Sequence, residues 1–558
     1  MGREAEADAP HRLQRIRLTD MKRLFLLPFA LSTFLLSFAE SQENRVDFRI
    51  QASQLGSPIG NKVSTINLWD LHGLPGETKD EGADLTKFVE HVQFMQATGG
   101  NDSRDLFQGE DYDFAPLLTA CHRARALHAK PHIKLSVPDR MSKERKVEDF
   151  GVDVLPPDDY EVYYRYIQAL AEALVKEFGK EEVRSWGWGV LVEFENASWF
   201  HDKEKTPEGS REAYFRLYDY SYAALESVLG EGIYIGAHAM ACTEGLWDER
   251  DLLDHCAKER NAKTGRIGTP IRYFAVSFYD DAPDKPHPLT LAETVERIRE
   301  RATEVGLKDL RYGVDEGRIL GASKGHDATD LVWRIVGNTY QAAYDAHTFK
   351  IMVDHDIDYF SAWSYSSAGA YSGYPLIAYR VAERLHEFKD DRQVAVHASK
   401  QLQEGTECEA VAGFNEEDGC LHLTAYNFKF DIQYADSVEA AFTCEVPFWK
   451  RKKVEVTETL IDDRCNFFCE WLKDKEKYHI SDSTFHWSPQ SGCLDIGFWD
   501  AKTRQFYFEE LRPKYLKMAN TPPVSTTRKM KMGRDGTLHL STQLPPHGVV
   551  FYTIRRLK

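Results

Sequence analysis

From about residue 60 to 390, short runs of β-branched and aromatic residues alternate with longer stretches whose apolar positions follow a helical period. That rhythm predicts parallel strands joined by right-handed helical crossovers. The expected strands are Val63 to Trp69, His91 to Thr98, Lys130 to Val137, Ser185 to Glu193, Gly232 to Ala241, Arg272 to Tyr279, Asp309 to Glu316 and Ile357 to Tyr365. Eight such units fit a (β/α)8 barrel; the competing doubly wound open sheet lacks its Gly-rich phosphate fingerprint after the first strand. Past about residue 395 the pattern changes to short alternating strands such as Leu421 to Tyr426 and Gly548 to Thr553. Turns interrupt it at Asn520-Thr521-Pro522-Pro523 and Pro545-Pro546-His547-Gly548. Period-two alternation with proline-bearing turns is a β-sandwich signature. The chain therefore reads as α/β, with a TIM barrel over residues 46–395 and a β-sandwich-like accessory domain over 396–558.

Two of the expected barrel strands run into acids. Trp186 to Val192 leads to Glu193 and then into an aromatic loop through Trp199-Phe200, and Leu310 to Val314 leads to Asp315-Glu316-Gly317. An acid desolvated at the end of an apolar strand has its pKa raised, which suits a general acid at neutral pH. The plainer reading is a pair of ordinary strand-end acids that reach water where loops begin. In a barrel the carboxyl ends of all strands open on one face, so Glu193 on the fourth strand and Glu316 on the seventh would share a cleft. Glu195 is the rival acid, because residues two apart on a strand face the same way.

With 558 residues, 42% hydrophobic and 12% aromatic, the chain can bury a large core in two or more domains. A formal net charge of -18 gives no electrostatic footprint for nucleic acid, while abundant aromatics suit stacking on sugar faces as well as core packing. Lys22-Arg23 precedes an apolar run from Leu24 to Phe38-Ala39, the form of a secretory signal cut after Ala39, with Met21 a candidate start and residues 1–20 an upstream extension. An uncleaved anchor is the alternative, although Pro28 interrupts the run and its length is short for a bilayer; stable membrane insertion is not expected. Export places the protein outside the cytoplasm, secreted or periplasmic, where nine cysteines can be read as disulfide candidates. Cys121, Cys242 and Cys256 look like buried thiols, whereas Cys408, Cys420, Cys444, Cys465, Cys469 and Cys493 crowd into the last third in a number that favours pairing. Cys465 and Cys469 have a spacing tolerable for zinc but no second ligand pair nearby, and no metal or cofactor is expected.

Trp186 through Phe200 resembles the acid/base segment of glycoside hydrolase family 39, the β-xylosidase and α-L-iduronidase family, with Val192-Glu193-Phe194 standing where that family has Asn-Glu-Pro. Glu316 within Val314 to Gly321 is similar to the nucleophile segment of the iduronidase form. Pro131 to Pro138, Asp251 to Cys256 and Tyr359 to Tyr365 resemble the third strand, a helix after the fifth strand and the eighth strand. Ile461-Asp462-Asp463 with Asn466 and Trp471 resembles the sandwich domain. The departures are Val192, which has no side-chain donor for a sugar hydroxyl, Phe194 in place of proline, and Phe278 or Tyr279 where the family has a histidine.

The resemblance implies a retaining glycosidase that acts on a glycan or oligosaccharide by double displacement. Glu316 would be the nucleophile and Glu193 the acid/base, with carboxyls about 5 to 5.5 Å apart and no metal required. Further cleft candidates are His132 and His238 on strands, Tyr279, Trp363 as a sugar platform, and Asp70 with His72 after the first strand. A lone strand histidine is more often a satisfied core residue. A non-catalytic carbohydrate-binding protein on a hydrolase scaffold is the alternative: the missing Asn and His favour it, and the paired strand-end acids favour catalysis.

Overall fold

All eight expected runs form strands: β1 Thr65–Leu68, β2 His91–Phe94, β3 Lys130–Leu135, β4 Gly187–Val190, β5 Tyr234–Ala239, β6 Tyr273–Phe278, β7 Arg311–Gly317 and β8 Tyr359–Ala362. They come from a computed structural model that describes residues 44–557 apart from 69–70, 72–83, 96–105, 110, 149–151, 242, 280–287, 318–338, 363–376, 403–404, 432–433, 466, 480–485, 489–492 and 496–500. The strands pair in parallel in sequence order, and β8 pairs with β1 to close the barrel.

The crossover helices have local causes. Tyr160–Phe178 is capped by Asp159, whose side chain accepts from the Glu161 backbone N–H. It buries Tyr163, Tyr166, Ile167, Leu170, Ala171 and Leu174 along one face and stops at Gly179, where φ is 85°. Pro207–Leu229 starts with Thr206 as cap and proline in its first turn, and Leu291–Glu304 starts with a Thr290/Glu293 capping box.

The Trp-Gly-Trp-Gly run of β4 follows from strand alternation. A Cβ on Gly187 would lie 2.7 Å from the His132 ring, and one on Gly189 2.6 Å from the Lys134 side chain. The glycines thus face a barrel interior already filled by β3, and Trp186 and Trp188 take the opposite, helix-covered face, Trp186 packing on Phe178 at 5.1 Å between centroids. Gly236 and Gly313 repeat the device under the rings of Tyr273 and Tyr359.

The last third forms a nine-stranded sheet that also takes in Arg45–Pro58, a segment assigned to the barrel region on sequence. That strand pairs antiparallel with Arg392–Ala398 through bulges near Gln51 and Leu55. The sheet curls over its own core: Phe442 and Tyr552, on strands far apart in sheet order, pack ring to ring at 5.5 Å. The outer face of the sheet meets the barrel helix Thr339–Asp354, where His347 stacks on Phe428 at 5.3 Å and its Nδ1 lies 2.7 Å from Glu407. Helices Phe468–Lys477, Ala501–Phe506 and Arg512–Ala519 interrupt the strand series, which period-two reading alone did not predict.

The expected pairing of the C-terminal cysteines does not hold where it can be described. Cys408, Cys420, Cys444 and Cys465 are free and buried, as are Cys121 and Cys256. Cys408 and Cys444 are absorbed in the sandwich core, Cys465 joins the barrel-side core, and Cys420 meets His422, so each packs as a small apolar group in its own place. Cys242 lies outside the described residues, as do the side chains of Cys469 and Cys493.

Candidate active site

The fourth strand stops at Val190, three residues before the acid that the sequence placed at its end. Leu191 and Glu193 both take left-handed backbone, with φ of 58° and 42°, which breaks the pleat and turns the chain across the mouth of the barrel. Such strain in non-glycine residues persists only where surrounding structure imposes it. Here the Leu191 N–H donates to Leu135 O at 2.8 Å and the Asn196 N–H to Glu193 O at 2.8 Å. Phe194 is buried under Tyr214, stacked at 4.3 Å, and Val192 packs with Met95, Val152 and Trp199.

These contacts present Glu193 with defined partners. Asn196 Nδ2 donates to its Oε2 at 2.9 Å and Trp199 Nε1 donates to the same oxygen at 3.1 Å. The residue is buried but for 9% of its surface. Glu195 is fully enclosed: its Oε1 accepts the Ala241 N–H at 2.8 Å, and its Cγ lies against Gly245. Burial pushes the Glu195 carboxyl up to about 8, against the pull of backbone donors and with a small push from Glu193. A proton donor must touch the leaving oxygen, so geometry ranks ahead of pKa. Glu193 retains access and Glu195 has none.

On the seventh strand a β-bulge gives two consecutive acids an inward course. Val314 pairs with Val276 and Glu316 with Ser277, so Asp315 is one residue in excess. Asp315 reaches into the barrel, where it forms an ion pair with Lys134 and accepts from Gln93 Nε2 at 2.8 Å and Tyr359 Oη at 2.6 Å. Glu316, beside it, stays partly exposed and accepts a hydrogen bond of 2.7 Å from Tyr279 Oη at the end of β6. Burial alone would raise the Asp315 carboxyl, but the charge of Lys134 beside it holds it well below the usual carboxylate range. Burial lowers the Lys134 ammonium, an effect that Asp315 opposes.

Both strand histidines belong to this interior. His132 shares a 2.8 Å hydrogen bond with Tyr273 Oη, and His238 shares one of 2.9 Å with Ser277 Oγ. Burial, reinforced by Lys134, pushes His132 well down and His238 down to about 3, so both are neutral. The cleft role considered for them on sequence gives way to barrel-core packing, since each is buried with a neighbour on the next strands. Tyr279 does reach the site, as a partner of Glu316. Asp70, His72 and Trp363 lie outside the described residues. Sequence reasoning missed Lys134 and Asp315; the signal was a lysine inside the apolar run Ile133-Lys134-Leu135, which burial obliges to find a counter-charge. Asn196 was missed as well. Among the described residues no His, Cys, Asp and Glu cluster is arranged to hold a metal ion.

Residues 100–304 match the family model for Glycosyl hydrolases family 39; Glu193 lies inside that span and Glu316 beyond it. The Beta-xylosidase of Caldicellulosiruptor saccharolyticus is 30% identical over 179 residues, 31% of this chain and 35% of that protein. The chain thus spans about a third of the length of that curated relative. In fold, the chain is similar to a monomeric beta-xylosidase from Caulobacter crescentus CB15, with a TM-score of 0.63 at 14% identity over 92% of this chain and 100% of that one. It is also similar to a bacterial orthologue of human α-L-iduronidase, with a TM-score of 0.60 at 14% identity over 92% and 84% of the two chains.

Proposed function

We propose that this chain, whose residues 100–304 match the model for glycosyl hydrolases family 39, is a retaining glycosidase in which Glu316 is the nucleophile and Glu193 the acid/base. The observation that carries this reading is a pair of glutamates at the carboxyl ends of two strands of a closed parallel barrel, Glu193 three residues past the fourth and Glu316 next to last in the seventh, on the face where such barrels do chemistry. Glu316 would attack the anomeric carbon while Glu193 gives its proton to the departing oxygen, forming a glycosyl-enzyme. Glu193, now a carboxylate, would take a proton from water as that water attacks the same carbon and frees Glu316. Both donors to Glu193 engage Oε2, which supports Oε1 as the oxygen that carries the mobile proton. Tyr279 would orient Glu316 and share its charge before attack.

A panel of aryl glycosides, beginning with β-xylosides and uronides, tests the reading. Glu316→Gln should be inactive with every leaving group. Glu193→Gln should retain the glycosylation step only with good leaving groups, and azide should speed its turnover. No turnover of any glycoside by the wild-type protein, together with measurable glycan binding, would instead support a carbohydrate-binding protein on the same scaffold. Export with cleavage after Ala39 is part of the proposal. N-terminal sequencing of secreted material should begin near Glu40, and retention of Leu24 to Phe38 would indicate an anchor.

A further inference from the structure

Resting on the assignment of Glu193 as acid/base, we propose that Glu195 is a positioning residue that latches the loop carrying Glu193 to the end of β5 and the turn that follows it. Three hydrogen bonds join the loop to the end of β5 and to the turn. The Phe194 N–H reaches His238 O at 3.4 Å, the Leu246 N–H reaches Glu195 O at 2.8 Å, and the Ala241 N–H reaches Glu195 Oε1 at 2.8 Å. Ala241 is itself held in left-handed backbone, φ 54°, which aims its N–H at the carboxyl. A side chain at Gly245 would place Cβ 2.4 Å from Glu195 Cγ, so the turn is shaped around this one residue. Two residues from the latch, the proton-donating carboxyl hangs on Asn196 and Trp199 of the same loop. Movement of the loop therefore moves the acid.

The charge state follows from the surroundings. The described titratable groups that act on Glu195 are Glu193 on its own loop and Tyr214 on the packed helix Pro207–Leu229, with backbone N–H groups of Met240 and Ala241 from the turn. No cation is among them. Burial of the carboxyl, which raises its pKa to about 8, keeps it neutral through the acidic and neutral range. Among the described residues its Oε2 has no hydrogen-bond partner, and a carboxylate in that place would be a buried charge with no cation to pair it. Loss of the proton above pH 8 places a charge between the loop and the turn; the Ala241 N–H bond offsets its burial only in part, so the loop shifts to bring the charge toward water and carries the proton donor out of place.

Glu195→Gln keeps the shape, the acceptor oxygen and the absence of charge, and Glu195→Ala keeps only the last. At pH 6 Glu195→Gln should turn over aryl glycosides within about twofold of wild type, and its alkaline limb should move to higher pH. Glu195→Ala should lower kcat by about a hundredfold with little change in KM, the cost of a misplaced catalytic group. A Glu195→Gln profile with an unmoved alkaline limb would overturn the latch, and so would loss of activity confined to poor leaving groups, which marks the acid itself. A readout without turnover separates this from failure of the hydrolase reading: a tryptophan fluorescence titration should show a native-state transition near pH 8 in wild type that is absent from Glu195→Gln. If the wild-type protein hydrolyses nothing, that difference still supports the latch, and identical titrations overturn it.

Discussion

Tyr279 and Glu316 lie 37 residues apart in the chain, yet the Tyr279 hydroxyl donates to Glu316 Oε1 across 2.7 Å at the mouth of the barrel. A hydrogen bond to a charged acceptor contributes about 1.5–3 kcal/mol, and it favours the ionised carboxyl over the protonated one. Tyr279→Phe should lower kcat about tenfold or more. Unchanged kinetics in that variant would remove Tyr279 from the site.

The buried pair of Lys134 and Asp315, both side chains fully enclosed, fixes the bulge that turns Glu316 toward the mouth. Removing one partner leaves an uncompensated charge, so Lys134→Met should cost about 3–5 kcal/mol of stability. Adding Asp315→Asn to Lys134→Met should restore part of it. Urea denaturation of the two variants at neutral pH measures both effects, and a double variant no more stable than the single one would contradict the pairing.

In the accessory domain His422 donates to Asp391, the residue before the strand Arg392–Ala398, with 2.8 Å from Nδ1 to Oδ2. Burial opposes protonation of His422, but the bond to Asp391 and the contact with Cys420 outweigh it and push the imidazole up to about 10. Asp391 is raised by burial, which its bond to His422 counters only in part. A histidine whose folded pKa exceeds its unfolded value binds more protons in the native state. The stability it contributes is therefore complete below about pH 6.5 and is lost as pH rises through about 10. Thermal denaturation from pH 6 to 10.5 should show that decline, and His422→Gln should flatten it.

The described cysteines predict a chemical count. Thiol titration of the unfolded protein without reductant should release at least the six thiols of Cys121, Cys256, Cys408, Cys420, Cys444 and Cys465. The native protein should react slowly at these positions because each is buried. Fewer than six would mean that some of them pair.

What the sequence by itself determined was whatever depends on local pattern. The alternation of apolar runs with amphipathic stretches identified eight barrel strands, and the later period-two runs identified the accessory sheet, because burial imposes those periods residue by residue. Acids at two strand ends could be read in the same way. Only the tertiary structure decided which neighbours each side chain meets. The left-handed turns at Leu191 and Glu193 separate an accessible Glu193 from an enclosed Glu195, although strand alternation would have put them on one face. The bulge at Asp315 gives one acid to the interior and the next to the cleft, and Lys134, 181 residues away, holds it there. The cysteines likewise stay unpaired because the fold places each among its own neighbours, Cys408 and Cys444 on separate strands of the sheet core and Cys121, Cys256 and Cys465 in the barrel-side core. The physical reason is common to all three: register and facing depend on strands that meet only after the barrel closes and the sheet curls, and no local period encodes them.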